Sequence, residues 1–289
     1  MNRPVSAPTP VPATDEDHLI AETLGGEQRL TLVPATSTAT GVVGVLPALG
    51  VRAGYYSHLA TALAGHGLHT VLADLPGNGE SPLRASRRQN WGYRELLERH
   101  LPAVRAAIGD RFPGLSLHWL GHSIGGQLAL IDAGRFPEAV DRVIVVASGA
   151  PYFRAWPTAG ALALLSLSRF AVLTAAVCGH FPGDRIGFAG REARRLMSDW
   201  GHIVMTGRYD FDGFDAEKSL AACSRPILAV TLAGDRFAPQ ASVDHSLEKT
   251  ASTEITRWTW SSDDGPLDHN RWPRTPEAVV ERMIEWMRG

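Results

Sequence analysis

The sequence predicts an α/β fold: a mostly parallel central sheet flanked by helices on both faces, with an inserted helical cap. Two observations support this fold class. Apolar runs that suit buried strands alternate along the chain with amphipathic stretches that suit helices. Between Pro151 and Ser224 the alternation stops, and helical sequence of mixed polarity separates two strand-like runs. The chain of 289 residues is long enough to bury a sizeable core.

Apolar runs bounded by turn-forming residues predict the strands in chain order. They lie within residues 28–35, 41–50, 68–81, 115–121, 140–149, 225–235 and 254–260. Helical spacing of apolar side chains predicts helices within residues 55–67, 93–112, 125–136 and 275–287. Pro102 predicts a kink in the second of these helices, and Thr275 is the expected N-cap of the last.

Four segments follow from these patterns. Residues 1–18 are rich in Pro, Ala, Ser and Thr and lack the apolar region of a signal peptide, which predicts a disordered tail. Residues 19–150 form the first part of the predicted α/β core, and residues 225–289 form its second part. Residues 151–224 form the predicted cap, or lid, between them.

One apolar stretch in this cap, residues 159–178, approaches the length that spans a bilayer. Arg169 lies at its centre, and Ser166 and Ser168 interrupt it. Because an arginine at the centre of a bilayer costs about 2.5–3.5 kcal/mol even on a lenient scale, we expect an apolar lid without a membrane span.

Composition excludes several classes of function. A formal net charge of −2 provides no basic field for binding nucleic acid. The chain contains no H-E-x-x-H, C-x-x-C or P-loop pattern, so we expect neither a metal nor another cofactor. Only Cys178 and Cys223 are present, which favours the reducing cytoplasm over a disulfide-bonded secreted protein. The oligomeric state is left open.

The stretch from Gly121 to Gly125, G-H-S-I-G, fits the G-x-S-x-G pattern of a nucleophilic serine. This pattern is informative where a strand runs into a sharp turn and then a helix, and here "LHWL" precedes it and "QLALI" follows it. Bulky side chains in place of the glycines would collide with neighbouring backbone. Ser123 is therefore the predicted nucleophile, and the alternative is a passive serine in a Gly-rich turn.

A serine hydroxyl needs a base, and the base needs an acid that orients it. Asp235 follows an apolar strand, and His269 lies in a loop before the last helix, which is the chain order expected after such a serine. The alternatives are a turn-forming aspartate and a surface histidine. His122 is expected to point away from the serine and to support the site. Weaker candidates for the acid are Asp210, Asp215, Asp263, Asp264 and Asp268.

The negative charge that develops during acyl transfer requires two backbone N–H donors. Ile124, directly after the serine, is expected to provide one. The second should come from the "PALG" turn that follows the strand at residues 41–50. By position Leu49 is preferred, with Ala48 as the alternative.

Residues 74–81, D-L-P-G-N-G-E-S, together with the serine turn and the ordered acid and base, resemble the α/β-hydrolase superfamily from about Leu19 onward. Pro47 and Ala48 stand where many relatives carry His-Gly, which leaves the identity of the second N–H donor open. The stretches "GHSIGGQ", "SDWGHIVMTGRYD" and "PLDHNRWPR" are similar to a little-characterised bacterial branch of serine hydrolases. The resemblance implies a hydrolase without specifying its substrate.

The expected function is cleavage of a carboxylic ester, or a related acyl bond, of a small molecule through a Ser-His-Asp triad. An acyltransferase or a peptidase could use the same triad, and a non-catalytic binding protein is the third possibility. A serine in the turn argues against haloalkane dehalogenases and most epoxide hydrolases, which use aspartate there. Tyr152, Phe153 and Trp156 are expected to line an apolar substrate cleft at the start of the cap. The basic run "REARR" at residues 191–195 is interpreted as a solvated helix face, with a docking site for an anionic substrate group as the alternative.

Overall fold

The structure is a computed structural model that describes residues 18–211, 213–262 and 267–289. The predicted tail lies outside the described residues, except for His18, and so do Asp263 and Asp264. The strands are β1 (His18–Thr23), β2 (Gly26–Val33), β3 (Gly41–Leu46), β4 (Leu68–Leu72), β5 (Leu117–His122), β6 (Arg142–Val146), β7 (His180–Pro182), β8 (Arg191–Ala193), β9 (Asp210–Phe211), β10 (Phe214–Asp215), β11 (Ile227–Leu232) and β12 (Ile255–Trp260).

The central sheet confirms the predicted fold class. Its strands are ordered β1-β2-β4-β3-β5-β6-β11-β12. β2 is antiparallel to both of its neighbours, and from β4 to β12 every neighbouring pair is parallel. Every residue of β3, β5 and β11 is buried, as expected for parallel strands that helices cover on both faces. The pairing of β1 with β2 was not predicted.

The helices are α1 (Ser57–Gly65), α2 (Tyr93–Glu95), α3 (Leu101–Arg111), α4 (Ile124–Arg135), α5 (Thr158–Cys178), α6 (Arg194–Thr206), α7 (Ala216–Ala221), α8 (Gln240–Leu247) and α9 (Glu277–Arg288). A π-helical turn, Leu96–His100, joins α2 to α3 directly before Pro102, which has no amide to donate to the helix. The predicted cap at Thr275 is wrong. Pro276 is the N-cap of α9, and Thr275 ends the preceding short helix, Trp272–Arg274.

A buried ion pair joins α3, α4 and β5. The Arg105 guanidinium donates to both carboxylate oxygens of Asp132, at 2.7 and 2.8 Å. The Trp119 indole N–H donates to the same carboxylate at 2.9 Å. Burial raises the pKa of Asp132, and the neighbouring Arg105 opposes that rise. These contacts hold α4 against the sheet, and α4 is the helix that follows the predicted nucleophile.

The predicted cap region lies between β6 and β11 and contains helices together with two small antiparallel sheets, β7–β8 and β9–β10. α5 packs against α6, and its buried residues are Ser168, Ala171 and Ala175. α7 contacts α4 of the core, where a Cβ on Gly134 would lie 1.7 Å from the Ser219 carbonyl oxygen. The boundaries at residues 151 and 224 stay a prediction.

Two residues of the basic run at 191–195 join the cap to the core. Arg191 Nε donates to the Ala85 carbonyl oxygen at 2.7 Å. Arg195 forms an ion pair with Glu95 at 2.8 Å. The interpretation of this run as a solvated helix face is wrong for these two residues, because Arg191 lies in β8 and both side chains are engaged by residues 85–95.

Helix α5 is long and apolar enough to cross a membrane when judged by length and composition alone. Its most apolar 18-residue window has a mean hydropathy of 1.9, and 17% of that window is buried in the protein. A soluble core helix of this length would be mostly buried. The expectation of a lid without a membrane span stays a prediction.

Candidate active site

Ser123 lies at the sharp turn between β5 and α4. Its backbone has φ 54° and ψ −120°, a conformation that costs a non-glycine residue about 1–3 kcal/mol. Two hydrogen bonds hold it in place. Its amide donates to the Val146 carbonyl at 3.1 Å, and the Ser148 hydroxyl donates to its carbonyl at 2.6 Å. The turn therefore has the strained geometry that the G-x-S-x-G pattern predicts.

Close backbone contacts require the glycines around this serine. A Cβ on Gly121 would lie 2.4 Å from the carbonyl carbon of Gly125. A Cβ on Gly125 would lie 2.1 Å from the carbonyl oxygen of Leu46 in β3. Both distances are far below van der Waals contact, so α4 sits directly against the strands, as the sequence predicts.

Asp235 and His269 form a buried hydrogen-bonded pair next to this turn. Asp235 follows β11, and its Oδ2 lies 2.7 Å from Nδ1 of His269. The other carboxylate oxygen accepts from the amides of Phe237 and Ala238, at 2.7 and 3.3 Å. Because a carboxylate only accepts hydrogen bonds, Nδ1 carries the proton, and Nε2 is left able to take one up.

A cavity of about 700 Å³ brings the predicted residues together. Ser123, Asp235 and His269 line it, and so do Leu49 and Ile124. The cap contributes mostly apolar lining: Trp156, Ala163, Leu164, Leu167, Phe188 and Trp200. A serine on a strained turn beside an Asp-His pair is an arrangement suited to nucleophilic catalysis.

The aromatic residues at the start of the cap do not all reach this cavity. Trp156 lines it, as expected. Tyr152 and Phe153 are not part of the lining; Tyr152 packs instead on His245, with ring centroids 5.0 Å apart. The expectation that these two residues bind substrate stays a prediction, and Trp156 is the one of the three that lines the cavity.

Hydrogen bonding separates the two candidates for the second N–H donor. The Ala48 amide donates to the Tyr56 hydroxyl at 3.0 Å, so it is already engaged. Leu49 lines the cavity next to it. Ile124 is the first residue of α4, where amides have no partner within the helix and the helix dipole is positive. These contacts favour Leu49 and Ile124.

Tyr56, which no local sequence pattern marked, links the loop of Ala48 and Leu49 to the side chains of His122 and His269. The Tyr56 hydroxyl also hydrogen-bonds Nδ1 of His122 at 2.7 Å, and the His122 ring lies 4.9 Å from the His269 ring. Burial lowers the pKa of His122 well below 6.5, so the ring is neutral. A buried chain thus runs from Ala48 through Tyr56 and His122 to His269. In the sequence, Tyr56 only precedes a helix.

The D-x-x-G-x-G-x-S loop at residues 74–81 contacts the segment that follows Leu49. Asp74 accepts from the Ala53 amide at 2.6 Å and from the Glu80 amide at 2.9 Å, which joins this loop to the segment after Leu49. Asn78 hydrogen-bonds the buried carboxyl group of Glu192 in the cap. Mainly through burial, the pKa of Glu192 rises from 4.5 to about 7.

The predicted cap also contacts the loop that contains Ala48, Leu49 and Gly50. Gly50 has φ +74°, and a Cβ there would lie 2.0 Å from the Gly190 amide nitrogen. The three residues that precede Gly190 line the cavity: Gly187, Phe188 and Ala189. Within the described residues, no group of three or more His, Cys, Asp or Glu side chains is placed to hold a metal ion.

The family model described as Hydrolase_4, serine aminopeptidase S33, matches residues 37–187, a little over half of the chain. This chain belongs to that family. The matched region of this Hydrolase_4 member runs from just before β3, through the Ser123 turn, into the cap. It is a member of the α/β-hydrolase superfamily, which confirms the resemblance drawn from its motifs.

One curated relative is the pimeloyl-[acyl-carrier protein] methyl ester esterase of Sodalis glossinidius (strain morsitans). It is 36% identical over 125 residues, which are 42% of this chain and 43% of the relative. The match therefore spans less than half of the length of that relative. The matched region establishes relatedness over this part of the chain alone.

Solved structures of lipases share the fold. A soluble variant of monoglyceride lipase from Saccharomyces cerevisiae, in complex with a substrate analogue, has a TM-score of 0.68 at 14% identity, covering 96% of this chain and 98% of that one. A monoacylglycerol lipase from Paleococcus ferrophilus has a TM-score of 0.61 at 17% identity, covering 89% and 97%. At such identities the likeness concerns the fold alone.

Proposed function

We propose that this Hydrolase_4 member is a serine hydrolase that cleaves a carboxylic ester, or a related acyl bond, of a small molecule. One observation supports it above the others: the 2.7 Å hydrogen bond between His269 and Asp235, in the same cavity as Ser123 on its strained turn. Family membership and the esterase among its relatives support the same reaction. No cofactor is part of the proposal.

The proposed mechanism uses these groups in order. Ser123 Oγ attacks the acyl carbonyl while His269 Nε2 takes its proton, and Asp235 stabilises the imidazolium that forms. The Leu49 and Ile124 amides donate to the oxyanion. The imidazolium then protonates the leaving alcohol, which departs and leaves an acyl-enzyme. A water molecule, deprotonated by His269, releases the acid and restores the serine.

The lining of the cavity favours an acyl or aryl ester of modest size. The cap side chains facing Ser123 are apolar, so an aliphatic or aromatic part of the substrate would be buried there. Gln127, Arg236 and Asn270 contribute polar side chains to this lining in addition to the proposed triad. We also propose a cytoplasmic location, because Cys178 and Cys223 are both free thiols.

A second candidate is the aminopeptidase activity in the description of the family. Such an enzyme must bind the positively charged N-terminus of a peptide, which requires a carboxylate. Among the described residues that line the cavity, Asp235 is the only carboxylate, and it is engaged by His269. The lining therefore favours an ester over a peptide amine. Acyl transfer to an alcohol would use the same triad.

The test is labelling with a fluorophosphonate probe, followed by p-nitrophenyl esters of increasing acyl length. Ser123→Ala should abolish labelling and lower turnover by about 10⁴-fold or more, because the nucleophile is lost. Ser198→Ala, at an exposed serine of α6, is the matched control and should label normally. Labelling that persists in Ser123→Ala would place the nucleophile elsewhere.

The same assay separates the alternatives. Products formed with competing alcohols would reveal acyl transfer, and cleavage of aminoacyl p-nitroanilides in preference to esters would favour the peptidase. A wild-type chain that neither labels nor turns over any ester of the series would favour a binding protein and contradict the proposal.

A further inference from the structure

The outer face of lid helix α5 is apolar and exposed. Leu162, Phe170, Leu173 and Val177 are 61, 50, 65 and 72% exposed. Their spacing of 8, 11 and 15 residues from the first puts them on one side of an α-helix. We call these four residues the outer stripe. Exposed apolar surface organised in this way marks an interaction site on a soluble domain.

The outer stripe is continuous with the opening of the catalytic cavity. Leu164 and Leu167, on the opposite side of α5, line the cavity. Ala159 and Ala163 both line the cavity and are exposed, so they lie where it opens to solvent. Phe237, which is exposed and 5.3 Å from the His269 ring, lies at the same opening. A partner that covers the outer stripe would therefore also lie against the opening of the cavity.

The charged residues of the chain segment that carries the stripe are all positive. No Asp or Glu occurs between residues 142 and 183. Arg154, before α5, and Arg169, in its middle, are exposed. Arg87 is exposed at the other end of the helix, where its guanidinium donates to the Val177 carbonyl at 2.5 Å. An apolar helix face with arginines at its start, middle and end complements a layer of anionic headgroups over hydrocarbon.

The same charges disfavour a second copy of the chain as the partner. In a two-fold dimer the stripe would meet itself, which brings like-charged arginines together without acidic residues from this segment to pair with them. Spanning is disfavoured as well, because α5 is packed along one side on α6 and its last turn is held against Arg87 at Gly179.

We propose that α5 docks on an anionic phospholipid surface, with the outer stripe at the boundary between headgroups and acyl chains and the cavity opening towards the lipid. This goes beyond the proposed ester hydrolysis and does not depend on it, since binding requires no turnover. The arginines would contact the phosphates, while the four apolar side chains leave water.

The experiment is co-sedimentation of the full chain with vesicles. Wild type should bind vesicles that contain equal parts of phosphatidylcholine and phosphatidylglycerol more tightly than pure phosphatidylcholine vesicles. A variant combining Leu162→Ser, Leu173→Ser and Val177→Ser should lose affinity for the anionic vesicles by at least about tenfold. The substitutions remove apolar side chains that docking on the lipid would bury. Ile20→Ser, at an apolar residue 53% exposed on β1, is the matched control and should bind as wild type does.

A second variant tests the charges. Arg154→Gln combined with Arg169→Gln should reduce binding to the anionic vesicles by about fivefold per arginine and leave the weak binding to neutral vesicles unchanged. Added salt should reduce the wild-type preference in the same direction. Equal binding by wild type and the stripe variant, or no vesicle binding by wild type, would overturn the proposal.

Two further readouts keep the outcomes distinct. Turnover of p-nitrophenyl acetate and the melting temperature should be the same in the stripe variant and wild type, which shows that the fold is intact. Loss of a wild-type dimer on size exclusion in the stripe variant, without vesicle binding, would identify a second copy as the partner and overturn the lipid proposal. Vesicle binding by a chain that turns over no ester would contradict the proposed function alone.

Discussion

The Ser123 turn and helix α5 line one cavity and are built in opposite ways. At the turn, Gly121 and Gly125 approach backbone atoms so closely that no Cβ fits, and hydrogen bonds hold both sides of the serine. In α5 one side is packed, and the other side exposes the four apolar residues of the outer stripe. Tight packing positions the groups proposed for the chemistry, whereas α5 offers an exposed surface whose role depends on a partner.

The largest effect should follow from breaking the tight packing at the turn. Gly125→Ala places a methyl group 2.1 Å from the Leu46 carbonyl oxygen, so α4 or β3 must move. We expect a loss of about 3 kcal/mol or more in the free energy of unfolding, together with loss of fluorophosphonate labelling. Urea unfolding and probe labelling measure the two effects.

Gly109→Ala is the matched control for this substitution. Gly109 lies inside α3, and nothing lies within 4 Å of a Cβ there. Because alanine favours helix more than glycine does, stability should stay equal or rise by up to about 1 kcal/mol. If both substitutions had the same effect, the turn would not be more tightly packed than an ordinary helix.

A smaller effect is expected from removing the hydroxyl of Tyr56, which hydrogen-bonds the Ala48 amide and His122. Tyr56→Phe removes the hydroxyl that joins the Ala48 amide to His122, and leaves two buried polar groups without this partner. We expect a loss of about 1–3 kcal/mol in stability and a kcat about tenfold lower, with KM nearly unchanged. Such a split indicates positioning of the loop of Ala48 and Leu49 and of His269.

Tyr55→Phe is its control, since Tyr55 is the half-buried neighbour in sequence. Steady-state kinetics on p-nitrophenyl esters and thermal unfolding provide the readouts. A Tyr56→Phe enzyme with wild-type kcat would limit Tyr56 to a structural role.

The smallest effect concerns the buried Glu192, which lies in the predicted cap and hydrogen-bonds Asn78 of the 74–81 loop. The pKa of Glu192 is raised from 4.5 to about 7, mainly by burial, so folding favours its protonated form. Its contribution to stability is therefore complete below about pH 4.5 and is lost as the pH rises through about 7, a change on the order of 3 kcal/mol. Glu192→Gln mimics the neutral form and should remove this dependence.

The measurement is urea unfolding of wild type and Glu192→Gln at about pH 5 and about pH 8. The difference between the two proteins should grow in favour of the variant at the higher pH. Buried histidines such as His100 and His118, whose pKa values burial lowers to about 4, are common to both proteins and cancel in this comparison. A difference that is constant with pH would show that Glu192 does not titrate in this range.

Much of the fold was predictable because its signals are local. The apolar runs that became β3, β5 and β11 are buried over their whole length, and this is the pattern that predicted them. Helix α8 was not predicted, because it has a weakly amphipathic sequence behind Pro239. The N-cap of α9 was wrong by one residue, since the short helix before it ends on Thr275.

The candidate site was predictable to the extent that it follows from motifs at strand ends. Ser123, Asp235 and His269 each come after a strand at the same edge of the sheet, so parallel strands bring them together. Tyr152 and Phe153 were expected to line the cavity and do not, because nothing local specifies which side chains of a loop face a cavity. Arg191 was misread for the same reason, since its acceptor, the Ala85 carbonyl, is more than a hundred residues away in the sequence.

By itself, the sequence determined the α/β alternation, the strained serine turn and the order of the triad candidates, because periodicity, glycine spacing and strand ends are properties of short segments. Only the tertiary structure decided that Ala48 is engaged by Tyr56 and Leu49 is favoured, that Glu192 is buried between cap and core, and that α5 is packed on one side and exposed on the other. Each of these depends on contacts between segments far apart in the chain. A stretch of leucine and alanine reads the same whether a protein core or a partner covers it.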